Sequence, residues 1–211
     1  MVATEGTYTV PGLTLEDGHK VADTLQGRLH ALNDLQLTLK HAHWNVVGRD
    51  FIGVHEMLDP QIEEVRLDVD ALAERMATLG VSPVGTPGAL VKSRSWDDYS
   101  IGRASTIEHL GALDVVYQGI IEGHRDAIEA VGELDPITED LLIGQTAGLE
   151  QFHWFIRAHL ESSAGDLSTQ GETTEKGAAA RAAKQTTNAA KKSAPKKAAS
   201  KKVGSKRAAK R

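Results

Sequence analysis

The sequence predicts an all-α domain built as a four-helix bundle with one long crossover. Apolar residues recur at helical spacing in four long stretches, and no run shows the alternation of a strand. Residues 81–104, which contain two prolines, separate the second stretch from the third, as in bundles with a long crossover. A short helix is expected there, because structureless loops of that length are uncommon in compact domains. A plain up-down bundle with an unstructured middle loop is the alternative.

The first two helices have clear ends. The first is expected to start after Thr14, a capping residue, and its apolar face runs through residues 25–46. In the second, apolar residues alternate in steps of four and three over residues 58–79. Gly80 follows, and glycine is the usual residue just past a helix end. These signals predict two long helices joined by a short turn.

The third and fourth helices have recognisable starts. Ser105-x-x-Glu108 is a capping box, in which each residue satisfies a free backbone N–H of the first turn. Asp135-Pro136 places a capping residue before a proline at the first helical position. The bundle is therefore predicted to span residues 14–162, preceded by a flexible arm over residues 1–13.

The charge divides the chain in two. Residues 163–211 hold 13 Lys/Arg and 3 Asp/Glu, a net charge of +10, whereas residues 1–162 carry −15. Because apolar periodicity ends at Ser163, the tail is predicted to be disordered. It has no aromatic residue for base stacking, so we expect it to bind DNA through phosphates, without sequence preference. A solubility tail, or a tail for anionic membranes or acidic proteins, is the alternative. The predicted DNA-binding residues are Lys176, Arg181, Lys184, Lys191, Lys192, Lys196, Lys197, Lys201, Lys202, Lys206, Arg207, Lys210 and Arg211.

A second, polar stripe on the second helix carries candidate metal ligands. The chain has no cysteine, so a metal must be held by His, Asp and Glu. His55 and Asp59 share this stripe with Asp70 and Glu74, but its ends lie about 28 Å apart along a helix. A second copy lying antiparallel across a two-fold axis would bring the two halves together, with His43 joining from the first helix. Imidazole and carboxylate ligands suit Fe(II) or Zn(II). An ordinary solvated helix face is the alternative.

The run HWNVVGRDFIGVHEMLD, followed at fixed spacing by DALAER, closely resembles the signature of the Dps proteins, DNA-binding proteins from starved cells. The resemblance implies a ferritin-like fold assembled into a hollow dodecamer. It implies a ferroxidase centre that uses His43, His55 and Asp59 of one subunit with Asp70 and Glu74 of its mate. The implied reaction is oxidation of iron, Fe(II) to Fe(III), preferably by hydrogen peroxide, with ferric oxide stored inside and DNA protected.

Two further features bear on this resemblance. Pro60 departs from the family pattern directly after Asp59, and an interior proline is expected to kink the helix and to alter the aim of that carboxylate. Glu122, Asp126 and Glu129 lie at helical spacing late in the third helix, where the family forms acidic pores near three-fold axes. A plain solvated face is the alternative for these three.

The same residues allow other functions. Glu-x-x-His occurs twice, at Glu16 and Glu150, as in bundles that bind two irons internally, but the two copies should not share a layer. A nucleoid architectural protein with a vestigial metal site is the main alternative to a ferroxidase. The chain shows no secretory leader and no apolar run long enough to span a membrane. We therefore expect a cytoplasmic, nucleoid-associated protein.

Overall fold

A computed structural model describes residues 6–193 of the chain. Its described helices are α1 (Leu15–Asn45), α2 (Phe51–Thr78), α3 (Pro87–Ser93), α4 (Thr106–Gly132), α5 (Pro136–Leu160) and α6 (Glu175–Ser193). The four long helices α1, α2, α4 and α5 form the bundle. The short helix α3 lies in the crossover, as predicted.

One apolar core joins the four long helices. α1 packs along α2, α4 packs along α5, and α1 also contacts α4. Each helix contributes fully buried leucines, for example Leu32, Leu72, Leu113 and Leu149. Burying one such side chain contributes about 1.5–3 kcal/mol, so the bundle depends mainly on this stripe. The predicted four-helix architecture is confirmed.

The helix ends follow the predicted caps. The Asp17 N–H donates to Thr14 Oγ1 at 3.1 Å, and Ser105 and Glu108 form both halves of the capping box. Gly80 has a φ of +85°, a left-handed conformation that favours glycine, and it ends α2. Helix α2 continues through Pro60 without a break.

A two-stranded parallel sheet corrects the prediction that the chain has no strand. β1 (Val46–Val47) pairs with β2 (Ala104–Ser105), the residues that end the crossover. Two residues are too few to show alternation in the sequence. The pairing exists because the crossover returns to the turn between α1 and α2.

The predicted disorder of residues 163–211 is wrong for residues 163–193. Helix α6 packs against α4 and buries Ala178, Ala179 and Ala182. Gly111 on α4 allows this approach, because a Cβ there would lie 2.8 Å from the carbonyl oxygen of Ala178. Small residues can bury a helix without a stripe of large apolar side chains, so periodicity did not reveal it. Residues 194–211 lie outside the described part of the chain.

The described part of the N-terminal arm also packs on the bundle, which corrects its predicted flexibility. The Gly6 N–H donates to the carbonyl oxygen of Gly80 at 2.7 Å, and Val10 and Leu13 pack against the core. Residues 1–5 are not described. Across residues 6–193, every helix is too short or too polar to cross a membrane.

Candidate metal centre

His43 and His55 connect the end of α1 to the start of α2 through two reciprocal hydrogen bonds, here called the histidine brace. His43 Nδ1 lies 2.9 Å from the carbonyl oxygen of His55, and His55 Nδ1 lies 3.0 Å from that of His43. Their rings stack with centroids 3.6 Å apart. Because a carbonyl oxygen only accepts, both Nδ1 atoms donate, and each neutral ring keeps its lone pair on Nε2. Neither Nε2 has a hydrogen-bond partner within residues 6–193. Such second-shell bonds orient histidines that bind metals.

Asp59 lies one turn beyond His55 on α2. Its Oδ1 accepts a hydrogen bond from Lys40 Nζ at 2.9 Å and lies 3.4 Å from His43 Nδ1. The hydrogen bond from Lys40 is the main reason that the pKa of Asp59 lies below its usual value. The carboxylate is therefore ionised at neutral pH. The structure thus brings three of the predicted ligands together, with Lys40 beside them.

The other two predicted ligands lie elsewhere on α2. Asp70 and Glu74 are both exposed, and Asp70 follows Asp59 at roughly 16 Å along the helix. Asp70 lines a shallow groove with Gln36 and Leu67. In the part of one chain that the structure describes, no three His, Asp or Glu side chains are grouped closely enough to hold a metal ion. Within residues 6–193 of one chain, the five predicted ligands therefore lie in two separate groups on α2 and its neighbour α1.

The face of α1 and α2 around these residues carries unusually exposed apolar side chains. Leu37 and Trp44 on α1 have exposed fractions of 62% and 71%, and Ile52 and Leu67 on α2 have 51% and 63%. Leu67 lies between the two halves of the polar stripe. Clustered apolar exposure of this kind typically marks a protein–protein contact surface.

The predicted pore acids Glu122, Asp126 and Glu129 are all exposed on α4. They adjoin a cation, because Arg28 lies against Gly123, where a Cβ would come within 3 Å of the guanidinium. Burial lowers the pKa of Arg28, and the negative charge of Asp126 partly opposes this effect. Asp126 therefore lies near enough to Arg28 for their charges to interact. Its role as a pore remains a prediction.

The predicted DNA-binding residues fall into three groups. Lys176, Arg181 and Lys184 are exposed on α6, and Arg181 pairs with Glu172 at 3.1 Å. Lys191 and Lys192 lie within the last turns of α6. The remaining residues lie outside the described part of the chain: Lys196, Lys197, Lys201, Lys202, Lys206, Arg207, Lys210 and Arg211.

The residues of the internal two-iron alternative have other partners. Glu150 pairs with Arg125 on the surface, and His153 Nε2 donates to Asp114 Oδ1 at 2.7 Å inside the bundle.

Lys40 is the residue near the site that the sequence analysis missed. It lies three residues before His43, one helical turn away, and that spacing was its only signal.

The sequence and fold resemble those of known proteins. A model of the ferritin-like domain matches residues 22–164. The chain is 56% identical over 180 residues to the "DNA protection during starvation protein" of Mycolicibacterium smegmatis, covering 85% of this chain and 98% of that protein. It is also 56% identical over 160 residues to the "Fine tangled pili major subunit" of Haemophilus ducreyi, covering 76% and 85%. The solved structure of DpsA14 from Streptomyces coelicolor is 61% identical, with a TM-score of 0.78, covering 80% of this chain and all of that one.

Proposed function

Because this chain belongs to the Dps family of ferritin-like proteins, we propose that it is a ferroxidase and iron store that also binds and protects DNA. The observation that carries the proposal is the paired brace of His43 and His55, which leaves both Nε2 lone pairs available beside the Asp59 carboxylate. Imidazole and carboxylate together suit Fe(II), which is the substrate here.

The proposed centre is shared by two copies of the chain across a two-fold axis. His43, His55 and Asp59 of one copy face Asp70 and Glu74 of the other, and the pair of copies carries two equivalent sites. The wide separation of the two halves along α2 supports this arrangement. The exposed apolar side chains on the same face of α1 and α2 support it as well, because the contact would cover them.

The proposed reaction balances with hydrogen peroxide as oxidant. Two Fe(II) ions give one electron each to one peroxide, which takes up two protons and leaves as two water molecules. Because both electrons arrive together, no hydroxyl radical is released. The two Fe(III) ions then join a ferric oxide store inside a hollow dodecamer. Dioxygen is the alternative oxidant, and the acidic row of Glu122, Asp126 and Glu129 is the proposed entry route.

DNA binding is proposed for the C-terminal cations. Lys176, Arg181 and Lys184 project from a helix that is docked on the bundle, and ten further Lys/Arg follow along the chain. Contacts to phosphates make such binding independent of sequence and sensitive to salt. Twelve copies on one cage add avidity. We therefore propose that the protein acts in the cytoplasm, bound to the nucleoid.

Complementation between two inactive variants tests the shared centre. His55→Ala and Glu74→Ala should each abolish fast Fe(II) oxidation by peroxide in stopped-flow absorbance. When both are co-expressed, half of randomly formed pairs are mixed, and one of the two sites in each mixed pair is intact. About a quarter of wild-type activity should return. A centre built within one chain would recover nothing.

Two shortened chains test DNA binding. They differ in whether helix α6 is kept. A chain ending at Ser193 keeps α6 and loses the eight cations that follow it, whereas a chain ending at Ser162 also loses α6. In mobility-shift titrations, the first should bind DNA more weakly with a shallower salt dependence, and the second should bind weakest. Equal affinity and salt slope for all three chains would contradict the assignment. Normal DNA binding by a full-length chain that cannot oxidise Fe(II) would instead support an architectural protein.

A further inference from the structure

The pair of Lys40 and Asp59 repeats the histidine brace one helical turn further on. Lys40 lies three residues before His43 on α1, and Asp59 lies four residues after His55 on α2. Because α1 and α2 run antiparallel, the two pairs form adjacent layers. Lys40 Nζ lies 2.9 Å from Asp59 Oδ1. A positive charge therefore already stands at a carboxylate that the proposed function assigns to iron.

The Asp59 carboxylate lies near one particular nitrogen of the His43 ring. Its Oδ1 lies 3.4 Å from His43 Nδ1, the nitrogen that donates to the carbonyl oxygen of His55. The lone pair that would bind iron is on Nε2, at the other edge of the imidazole ring. Asp59 Oδ1 is thus held at the edge of His43 that does not bind metal.

We propose that Lys40 is a positioning residue that competes with Fe(II) for Asp59 and sets the iron concentration at which the centre fills. The inference rests on the proposed function, since it assumes that His43, His55 and Asp59 bind iron. In the iron-free chain, the ammonium group holds Asp59 away from the His43 Nε2 lone pair. On iron binding, the carboxylate leaves Lys40 and turns toward the metal.

The pair is weak enough to be displaced. The side chains of Lys40 and Asp59 are 35% and 50% exposed, and exposed ion pairs contribute at most about 1 kcal/mol. Contact between α1 and α2 does not depend on it, because Leu39 and Leu58 are fully buried beside it and the histidine brace remains. Loss of Lys40 should therefore leave the fold intact.

Co(II) binding to the full-length protein tests the inference apart from turnover. The dissociation constant is measured by calorimetry, and ligand-field absorption reports the carboxylate in the site. Lys40→Met should bind Co(II) about 5-fold more tightly, the equivalent of roughly 1 kcal/mol. Lys40→Arg, which keeps the charge and the pair, should stay close to wild type. Lys20→Met is the matched control, because Lys20 pairs with Glu16 on the same helix far from the site.

A double-mutant cycle separates competition for Asp59 from general charge repulsion. In an Asp59→Asn background, Lys40→Met should no longer tighten Co(II) binding. Unchanged or weaker binding in the single variant, or an equal gain in the Asp59→Asn background, would overturn the inference. His55→Ala distinguishes the two levels. If wild-type Co(II) affinity does not depend on His55, the proposed centre itself is wrong, and the role of Lys40 falls with it.

Discussion

A buried cluster of hydrogen bonds connects the C-terminal segment to the bundle, and one substitution can remove one of these bonds. Asp114 on α4 accepts hydrogen bonds from His153 Nε2 at 2.7 Å and from Thr169 Oγ1 at 2.5 Å. Burial acts to raise the pKa of Asp114, but these two hydrogen bonds and the positive charges of His153 and Arg157 together outweigh it, and the pKa lies below its usual value. An ionised acceptor therefore holds the segment that leads into α6.

Thr169→Val removes the hydroxyl while keeping the shape of the side chain. A hydrogen bond to a charged group contributes about 1.5–3 kcal/mol. The loss of this bond should favour local opening of residues 166–182 and not global unfolding, because α4 and α5 keep their apolar core without it. At about 1.4 kcal/mol per factor of ten, the opening equilibrium of this segment should rise roughly 10- to 100-fold.

Hydrogen exchange read by mass spectrometry measures this opening directly. Amides near Ala178 and Ala182 in α6 should exchange faster by the same factor, while amides in the middle of α4 and α5 keep their wild-type rates. Thr173→Val is the matched control, since Thr173 is exposed in the same segment. Unchanged exchange in α6, or equal acceleration throughout the bundle, would refute the reasoning.

Three further substitutions test packing and charge by urea unfolding. Gly80→Ala should cost about 1–3 kcal/mol, because its φ is +85° and a Cβ would lie 2.1 Å from the carbonyl oxygen of Tyr8. Burial raises the pKa of Asp68 to about 6, so its ionisation destabilises the fold as pH rises from about 4 to 6; Asp68→Asn should raise stability at pH 7.5 but not at pH 4. Arg75→Met should cost about 3–5 kcal/mol at neutral pH, because it leaves the buried carboxylate of Asp135 without a positively charged partner.

The sequence predicted the helix ends well because a cap is a local device. Thr14 needs only the N–H groups of the next turn, and the box of Ser105 and Glu108 closes within four residues. Gly80 ends α2 because its own backbone conformation favours glycine. None of these signals depends on how the helices pack against one another.

The features that the sequence did not reveal depend on contacts between distant segments. The docking of α6 needs Gly111 on α4, and nothing near either residue in the sequence links them. The two-residue sheet and the contact of Gly6 with Gly80 likewise arise from chain paths fixed elsewhere. An alanine-rich stretch followed by lysines therefore resembles a disordered tail until its partner surface is known.

The candidate centre likewise has some features that the sequence predicted and others that it did not reveal. The spacing of His55, Asp59, Asp70 and Glu74 along one helical stripe predicts that one chain holds half a site, and in the structure the two pairs lie apart along α2. The histidine brace and the role of Lys40 required the antiparallel approach of α1 to α2. A lysine on an amphipathic helix is usually a solvated side chain, so the spacing of Lys40 from His43 was not enough to single it out.

Charge gives a reason for the centre to be shared. Within one chain, the half-site offers two imidazoles and a carboxylate that is already balanced by Lys40. In the proposed arrangement, the second copy adds two carboxylates, Asp70 and Glu74, and neither forms an ion pair within residues 6–193 of its own chain. The pair of copies then has the negative charge that a divalent cation needs, whereas either half alone does not. By linkage, an ion that binds only the paired state stabilises that state, so iron should tighten the contact between copies as it fills the centre.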